Sequence, residues 1–260
     1  MNAIDKLFFL LDQFTTEKTQ WGVRELSMKI HLTPNLTHWY LKNLERNRVV
    51  RKDPETNKYE LGFKLFELTS RASTIATISK LAYPVLRKLC ELTEGTSSLR
   101  ILDGNELLCL VAVESPSSLT VRHAEGTRVP CNYGAIGKLL TAYTEEKKAE
   151  NLVLEGHVRK LTKKSVVGLL ALKKEWARIQ MRGWAYSSGE AIPGVRAIAA
   201  PVHDAAGKVF AGVALAFPAV ALPSSRIRKV AVQVVKAAGE ISEQLGWKNA
   251  KIQKKKAVAS

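Results

Sequence analysis

Asn35, Thr37, His38 and Trp39 fall within five consecutive positions, just after the pair Thr33-Pro34. An asparagine amide can bond bidentately to an adenine edge. A threonine methyl fits against a thymine methyl, and an imidazole can bond a base edge or a phosphate. Basic residues follow at once. Lys42, Arg46, Arg48, Arg51 and Lys52 enclose a single acid, Glu45, and Lys58 comes soon after. Such a run neutralises phosphates, which supplies affinity without reading sequence. The same residues could also be the solvated face of an ordinary helical core, so the elements that carry them decide between the two.

Those elements are well signalled. Leu7, Leu10, Leu11 and Phe14 recur at helical spacing, predicting an amphipathic helix from Ala3 to Phe14. Val23, Leu26 and Ile30 mark a short second helix. Thr33 is placed to cap a third and Pro34 to occupy its first turn, where a missing N–H costs nothing. That helix is expected to reach about Arg46 and to bury Leu36, Tyr40, Leu41 and Leu44. Two short helices joined by a tight turn form a helix-turn-helix, whose second helix enters the major groove by its N-terminal half. Thr33, Asn35, Thr37, His38, Trp39 and Lys42 then become candidate DNA-binding residues, with Trp39 bulky enough to be partly buried between helices. Val49-Val50, a turn around Asp53-Pro54 and Asn57, and a returning strand predict a hairpin. A hairpin after a helix-turn-helix is a wing, and its Arg51, Lys52 and Lys58 can reach phosphates beside the groove.

Little else in the chain suggests chemistry. There is no GxGxxG, GxSxG or HExxH. Gly134-Ala-Ile-Gly137-Lys138 resembles part of a phosphate loop, but Leu139 stands where Ser or Thr should follow the lysine. It reads better as a loop entering a helix whose free N–H groups could hold an anion. The five histidines are scattered and show no metal-ligand spacing, so no catalytic group, metal or cofactor is expected. Cys90, Cys109 and Cys131 are odd in number and far apart, which speaks against a disulfide framework and suits a reducing cytoplasm. No apolar run reaches the roughly 18 residues of a membrane span, and the apolar N-terminus lacks the basic flank of a signal peptide. A cytoplasmic location is expected.

The net charge of +16 hints at nucleic acid, but it does not locate it. Residues 1–80 carry +4, residues 81–246 carry +7 and the tail from Trp247 carries +5. Residues 1–62 are expected to form the winged helix-turn-helix and residues 63–78 a linker helix. A further helix should run from Ser79 to Glu94, kinked or started late by Pro84. From there the pattern is mixed. Strands are expected at Ser98–Leu102, Leu107–Val113, Leu119–His123, Trp184–Ser188, Val195–His203 and Val209–Phe217. Helices are expected at Gly137–Ala149, Gly168–Arg182 and Ser224–Leu245. Hairpin-linked strands with helices around them predict an α+β domain over 79–246 with an antiparallel sheet. The Lys-rich 247–260 reads as a solvated tail.

The residues also carry a resemblance. LTPNLTHWYLKNLERNRVVRKDPETNKYELGFKLFEL, VPCNYGAIGKLLTAY and GWAYSSGEAIPGVRAIAAPVHDAAGKVFAGVALAF appear in an order and spacing that resemble the IclR (isocitrate lyase regulator) family along nearly the whole chain. The resemblance implies a winged helix, a linker helix and a GAF-like effector domain. It implies a homodimer or homotetramer on a pseudopalindromic operator, no enzymatic activity, and control of a catabolic operon by a small-molecule effector. It also implies that the effector meets the backbone at Gly134 and Ala135 and the side-chain positions Ser187, Ala197, Ala214 and Ala216. Three of those four are alanine, and stranding the oxygens of a small acid against them would cost about 1–3 kcal/mol per group. The expected effector is therefore a carboxylic acid with an apolar or aromatic part, its carboxylate at the N–H groups near Gly134. Trp39 stands where the family often has arginine, which leaves the operator sequence open. Two rival readings are a metabolite-sensing module acting through protein contacts and a metabolic enzyme. The first predicts no salt-dependent DNA binding, and the second predicts turnover.

Overall fold

Asn2 opens the first helix. Its side-chain oxygen accepts the N–H of Asp5 at 2.9 Å, while Asp5 accepts the N–H of Asn2 at 3.0 Å. This helix, α1, spans Ala3–Leu11 and stops short of Phe14; the N–H groups of Gln13 and Phe14 turn to the carbonyls three residues back, and the Gln13 carbonyl accepts the Trp21 indole N–H at 2.8 Å. The computed structural model describes residues 2–15, 17–71, 73–118 and 120–248. The chain divides into two compact units between Ala76 and Thr77.

In the first unit α2 spans Val23–Lys29 and α3 spans Pro34–Arg46, where the cap signal predicts. Strands β1 (Val50–Lys52) and β2 (Tyr59–Leu61) pair antiparallel as the expected hairpin. Trp21 adds a bridge to Tyr59, each N–H donating to the other's carbonyl at 2.9 and 2.8 Å. Leu10, Trp21, Leu26, Tyr40, Leu41, Leu44, Val50 and Tyr59 form one core. Helix α4 spans Lys64–Arg71 and α5 spans Ser73–Thr93. The boundary expected near Ser79 thus lies within α5, which carries Pro84 inside it.

The second unit is built on a six-stranded sheet. Its strands are β3 (Thr96–Asp103), β4 (Glu106–Val113), β5 (Arg128–Pro130), β6 (Ala185–Ser188), β7 (Val195–His203) and β8 (Val209–Pro218). They lie in the order β5-β4-β3-β8-β7-β6, and every neighbouring pair is antiparallel. The strand expected at Leu119–His123 is absent from its described part, Thr120–His123, and Arg128–Val129-Pro130 takes the sheet edge instead. The helix expected over Gly137–Ala149 is two helices, α6 (Gly134–Ala142) and α7 (Glu146–Leu154). Helix α8 spans Leu169–Arg182 and ends on Gly183, which is left-handed at φ 78°. A 3-10 turn at Ser224–Arg226 leads into α9, Ile227–Gln244.

Strand alternation gives the sheet two different faces. Leu99, Val213 and Leu215 pack with Leu86 and Leu89 of α5 and with Val234 and Ile241 of α9. Ala199 and Ala214 pack on the other face with Ile136 and Leu139 of α6 and Trp176 of α8. Trp247 was expected to begin the tail, but its ring stacks on His203, with centroids 4.1 Å apart. The rest of the Lys-rich stretch, residues 249–260, lies outside the described residues.

Candidate functional site

Thr33 caps α3, its hydroxyl accepting the Leu36 N–H at 3.4 Å. Asn35 and His38 are exposed, and Trp39 is 57% exposed rather than packed between helices. Thr37 does not belong with them. It is 0% exposed, and its hydroxyl donates to the Thr33 carbonyl at 3.1 Å. Positions 37, 40, 41 and 44 form the buried stripe at helical spacing, so Thr37 fills a core position that cannot reach a base. Leu36 is only half-buried. Lys42 is exposed and pairs with Glu45 at 2.9 Å.

The wing is held by Asp53, whose carboxylate accepts the N–H groups of Glu55 at 2.8 Å and Thr56 at 3.0 Å. Those bonds keep its carboxyl below the usual aspartate range. Asn57 takes a left-handed φ of 57° and closes the turn. Arg51, Lys52 and Lys58 are exposed. Arg51 pairs with Glu60 at 2.5 Å, whereas Lys52 and Lys58 make no ion pair among the described residues.

The second unit holds a small, mostly apolar cavity, and it brings together all six positions singled out in the sequence. Ala197, Ala214 and Ala216 form its sheet wall, Ser187 contributes a hydroxyl, and Gly134 and Ala135 open α6 above them. Cross-strand pairs put these residues on one face, with Ser187 opposite Ala197, and Ala197 opposite Ala216. Val121, His123, Tyr133, Ile136, Ala191, Ile192 and Val195 complete the lining. Sequence reading missed these, because most sit in loops whose position depends on the whole unit.

Local conformation explains the glycines. Gly134 has φ +59°, and a Cβ there would lie 3.1 Å from the Ser187 hydroxyl. A Cβ on Gly137 would lie 2.5 Å from the Cys131 carbonyl oxygen. Both let α6 sit close to its neighbours. No side chain caps the N-terminus of α6, so its first-turn N–H groups are open to an anion. Lys138 does not act as a phosphate-loop lysine. It is buried and bonds Glu190 at 2.9 Å and Glu175 at 3.4 Å.

The electrostatics around the cavity are one-sided. Burial, with the Arg100 charge adding to it, pushes the His123 imidazole down to about 4, so it is neutral near pH 7. Burial pushes the Tyr133 phenol up, with Arg100 opposing. Among the described residues no acid lines the cavity. Among the described residues no group of three His, Cys, Asp or Glu could hold a metal, and no helix is long and apolar enough to cross a membrane. The three cysteines are free and buried.

Comparison with known proteins identifies both units. Residues 71–243 match the family described as bacterial transcriptional regulator IclR C-terminal, and residues 3–54 match the IclR helix-turn-helix domain. The HTH-type transcriptional regulator KdgR of Escherichia coli is 27% identical over 247 residues, covering 95% of this chain and 94% of that relative. The crystal structure of Thermotoga maritima IclR superposes with a TM-score of 0.76 at 26% identity, covering 95% of this chain and all of that one. An IclR homolog from Microbacterium hydrocarbonoxydans, solved with 4-hydroxybenzoate, superposes with a TM-score of 0.83 at 18% identity, covering 94% and 99% of the two chains. With a helix-turn-helix match at one end and a match to the family's C-terminal domain over most of the remainder, this chain belongs to the IclR family of bacterial transcriptional regulators.

Proposed function

We propose that this regulator's affinity for its operator is controlled by a carboxylic acid with an apolar or aromatic part, bound in the cavity between α6 and the sheet. The observation that carries this reading is the cavity wall. Ala197, Ala214 and Ala216 offer no polar atom to a small acid, while Ser187 and the uncapped start of α6 offer a few at one edge. The 4-hydroxybenzoate in the Microbacterium protein is an acid of this type held by the same fold. Membership in a family of regulators decides against the enzyme reading.

On this reading residues 1–62 bind DNA, 63–78 link, and 79–246 sense the effector, the link ending within α5. Asn35, His38 and Trp39 read bases, while Thr33, Lys42, Arg51, Lys52 and Lys58 hold the backbone. A homodimer or homotetramer in the cytoplasm would set two such helices on a pseudopalindromic operator of a catabolic gene cluster. An effector that binds one state better shifts operator affinity, and DNA shifts effector affinity by the same factor. Genomic-fragment capture with the full chain at physiological salt tests this. A few enriched sites sharing an inverted repeat, released or tightened by an apolar carboxylic acid, are expected. Diffuse enrichment that vanishes with salt, or a response confined to two- or three-carbon oxoacids, would overturn it.

A further inference from the structure

Arg100 heads the largest side chains hidden from solvent, at 1% exposure, and it sits in the middle of β3. Its Nε and Nη1 have no hydrogen-bond partner, and it forms no ion pair among the described residues. Arginine cannot shed its proton to escape this, and an ionised group buried without a partner is costly.

Register places this cation on the sheet face that walls the cavity, beside the lining rather than in it. Thr96 is opposite Ala216, Ser98 opposite Ala214 and Arg100 opposite Gly212, so the three lie on the sheet face that walls the cavity. A Cβ on Gly212 would come within 2.6 Å of Ile136, another lining residue. The charge of Arg100 reaches His123 and Tyr133, both in the lining. Two further buried polar atoms nearby also lack partners, the Ser98 hydroxyl and His123 Nδ1. Glu125, whose charge reaches Cys109 as that of Arg100 does, is exposed and accepts the Ala112 N–H at 3.2 Å.

We infer that Arg100 is the anion anchor of this cavity, holding the carboxylate of the effector, with Ser98 and His123 as polar partners beside it. This rests on the reading that the effector is an organic acid, and it moves the binding charge from the start of α6 to the sheet. An anion in place supplies part of what the fold leaves missing, since either the Nε/Nη2 edge or the Nη1/Nη2 edge of the guanidinium matches a carboxylate with two parallel hydrogen bonds.

The test uses the full chain and its Arg100→Met and Arg100→Lys variants. Benzoate, phenylacetate and hexanoate, each beside its neutral amide, are titrated by calorimetry, and the unfolding midpoint is measured without ligand. The native chain should prefer an acid to its amide. Arg100→Met should lose acid affinity by about 30-fold or more while keeping its amide affinity, and Arg100→Lys should fall between. Without ligand, Arg100→Met should unfold at a higher temperature, because it removes an unpaired charge but keeps the apolar stem. Unchanged acid affinity in Arg100→Met overturns the inference and leaves the organic-acid reading standing. A lower midpoint also overturns it, since Arg100 would then be satisfied within the fold. If the native chain binds none of the acids, the organic-acid reading fails and the inference fails with it.

Discussion

Lys138 and Glu190 meet at 2.9 Å, with the lysine side chain 3% exposed, and the pair ties α6 to the loop that carries Ala191 and Ile192 into the cavity wall. Glu175 of α8 approaches the same ammonium at 3.4 Å and is itself held by Arg178 at 2.9 Å. Burial pushes the Glu175 carboxyl up, but Lys138 and Arg178 outweigh it and leave it below the usual range. One buried cation therefore fixes a helix and a loop on two sides of the cavity.

Lys138→Met should be strongly destabilising, because it leaves the half-buried Glu190 without a cation and Glu175 with only the exposed Arg178. Removing one partner of a buried pair costs about 3–5 kcal/mol, readable as a shift of the urea midpoint of the second unit. Glu190→Gln should cost less, since Glu175 still pairs with the lysine, yet it should weaken effector binding by loosening the loop. Equal stability of Lys138→Met and the native chain would show that the pair is not structural.

Thr37 and Asn35 are two residues apart on α3 and should behave oppositely. Thr37→Val removes the bond to the Thr33 carbonyl and should cost about 1 kcal/mol of stability, with operator preference unchanged. Asn35→Ala touches nothing buried, so it should leave stability within about 0.5 kcal/mol and relax the preference for one base pair. Lys58→Ala should weaken binding to all sequences and reduce the salt slope by about one. Competition binding against a set of single-base operator variants separates these outcomes. A changed base preference in Thr37→Val would return Thr37 to the reading face.

His123 predicts a pH dependence. Its folded imidazole is pushed down to about 4, chiefly by burial with Arg100 adding to it, so it stays neutral while the unfolded chain takes up a proton near the ordinary 6.5. The unfolded state then binds more protons, and stability falls as pH drops. The contribution is complete above about 6.5 and lost progressively down to about 4, for a total of at most about 3 kcal/mol. His203 is also lowered by burial, against Asp204, and acts in the same direction. Urea unfolding at pH 7 and pH 5 should therefore show a drop that His123→Gln reduces without abolishing. An identical drop in that variant would mean the ring titrates near its ordinary value.

What could be read from the sequence follows the range of the forces involved. The start of α3 was legible because Thr33 and Pro34 act on N–H groups one turn away. Strand β7 was legible because an apolar run is bounded by Gly194 and the Asp204–Gly207 turn. The break between α6 and α7 was not, because an unbroken helical pattern hid a stop at Tyr143 and a restart after Glu145. The strand expected at Leu119–His123 had the right residue types, but the edge of β4 pairs with Arg128–Pro130 instead. At the cavity, family resemblance located six lining positions. Arg100 stood in plain view as a charge inside the apolar strand SSLRILD, yet only the register against Gly212 reveals which face it occupies.

Gly134 tests the cavity most directly. Its φ of +59° is a conformation that costs an L-residue about 1–2 kcal/mol. A Cβ there would also press on the Ser187 hydroxyl at 3.1 Å, at the edge where α6 opens over the sheet. Gly134→Ala should therefore do two separable things. It should lower stability by about 1–2 kcal/mol, and it should displace the first-turn N–H groups and narrow the cavity. Operator binding without effector should persist, because the reading helix lies in the other unit. The effector response should be lost or need a much higher concentration. Combining the change with Ser187→Gly removes the clash but not the backbone strain, so it should restore part of the effector response while stability stays low. If the single variant keeps its full response, the effector does not enter between α6 and Ser187, and the ligand site must be sought elsewhere in the unit.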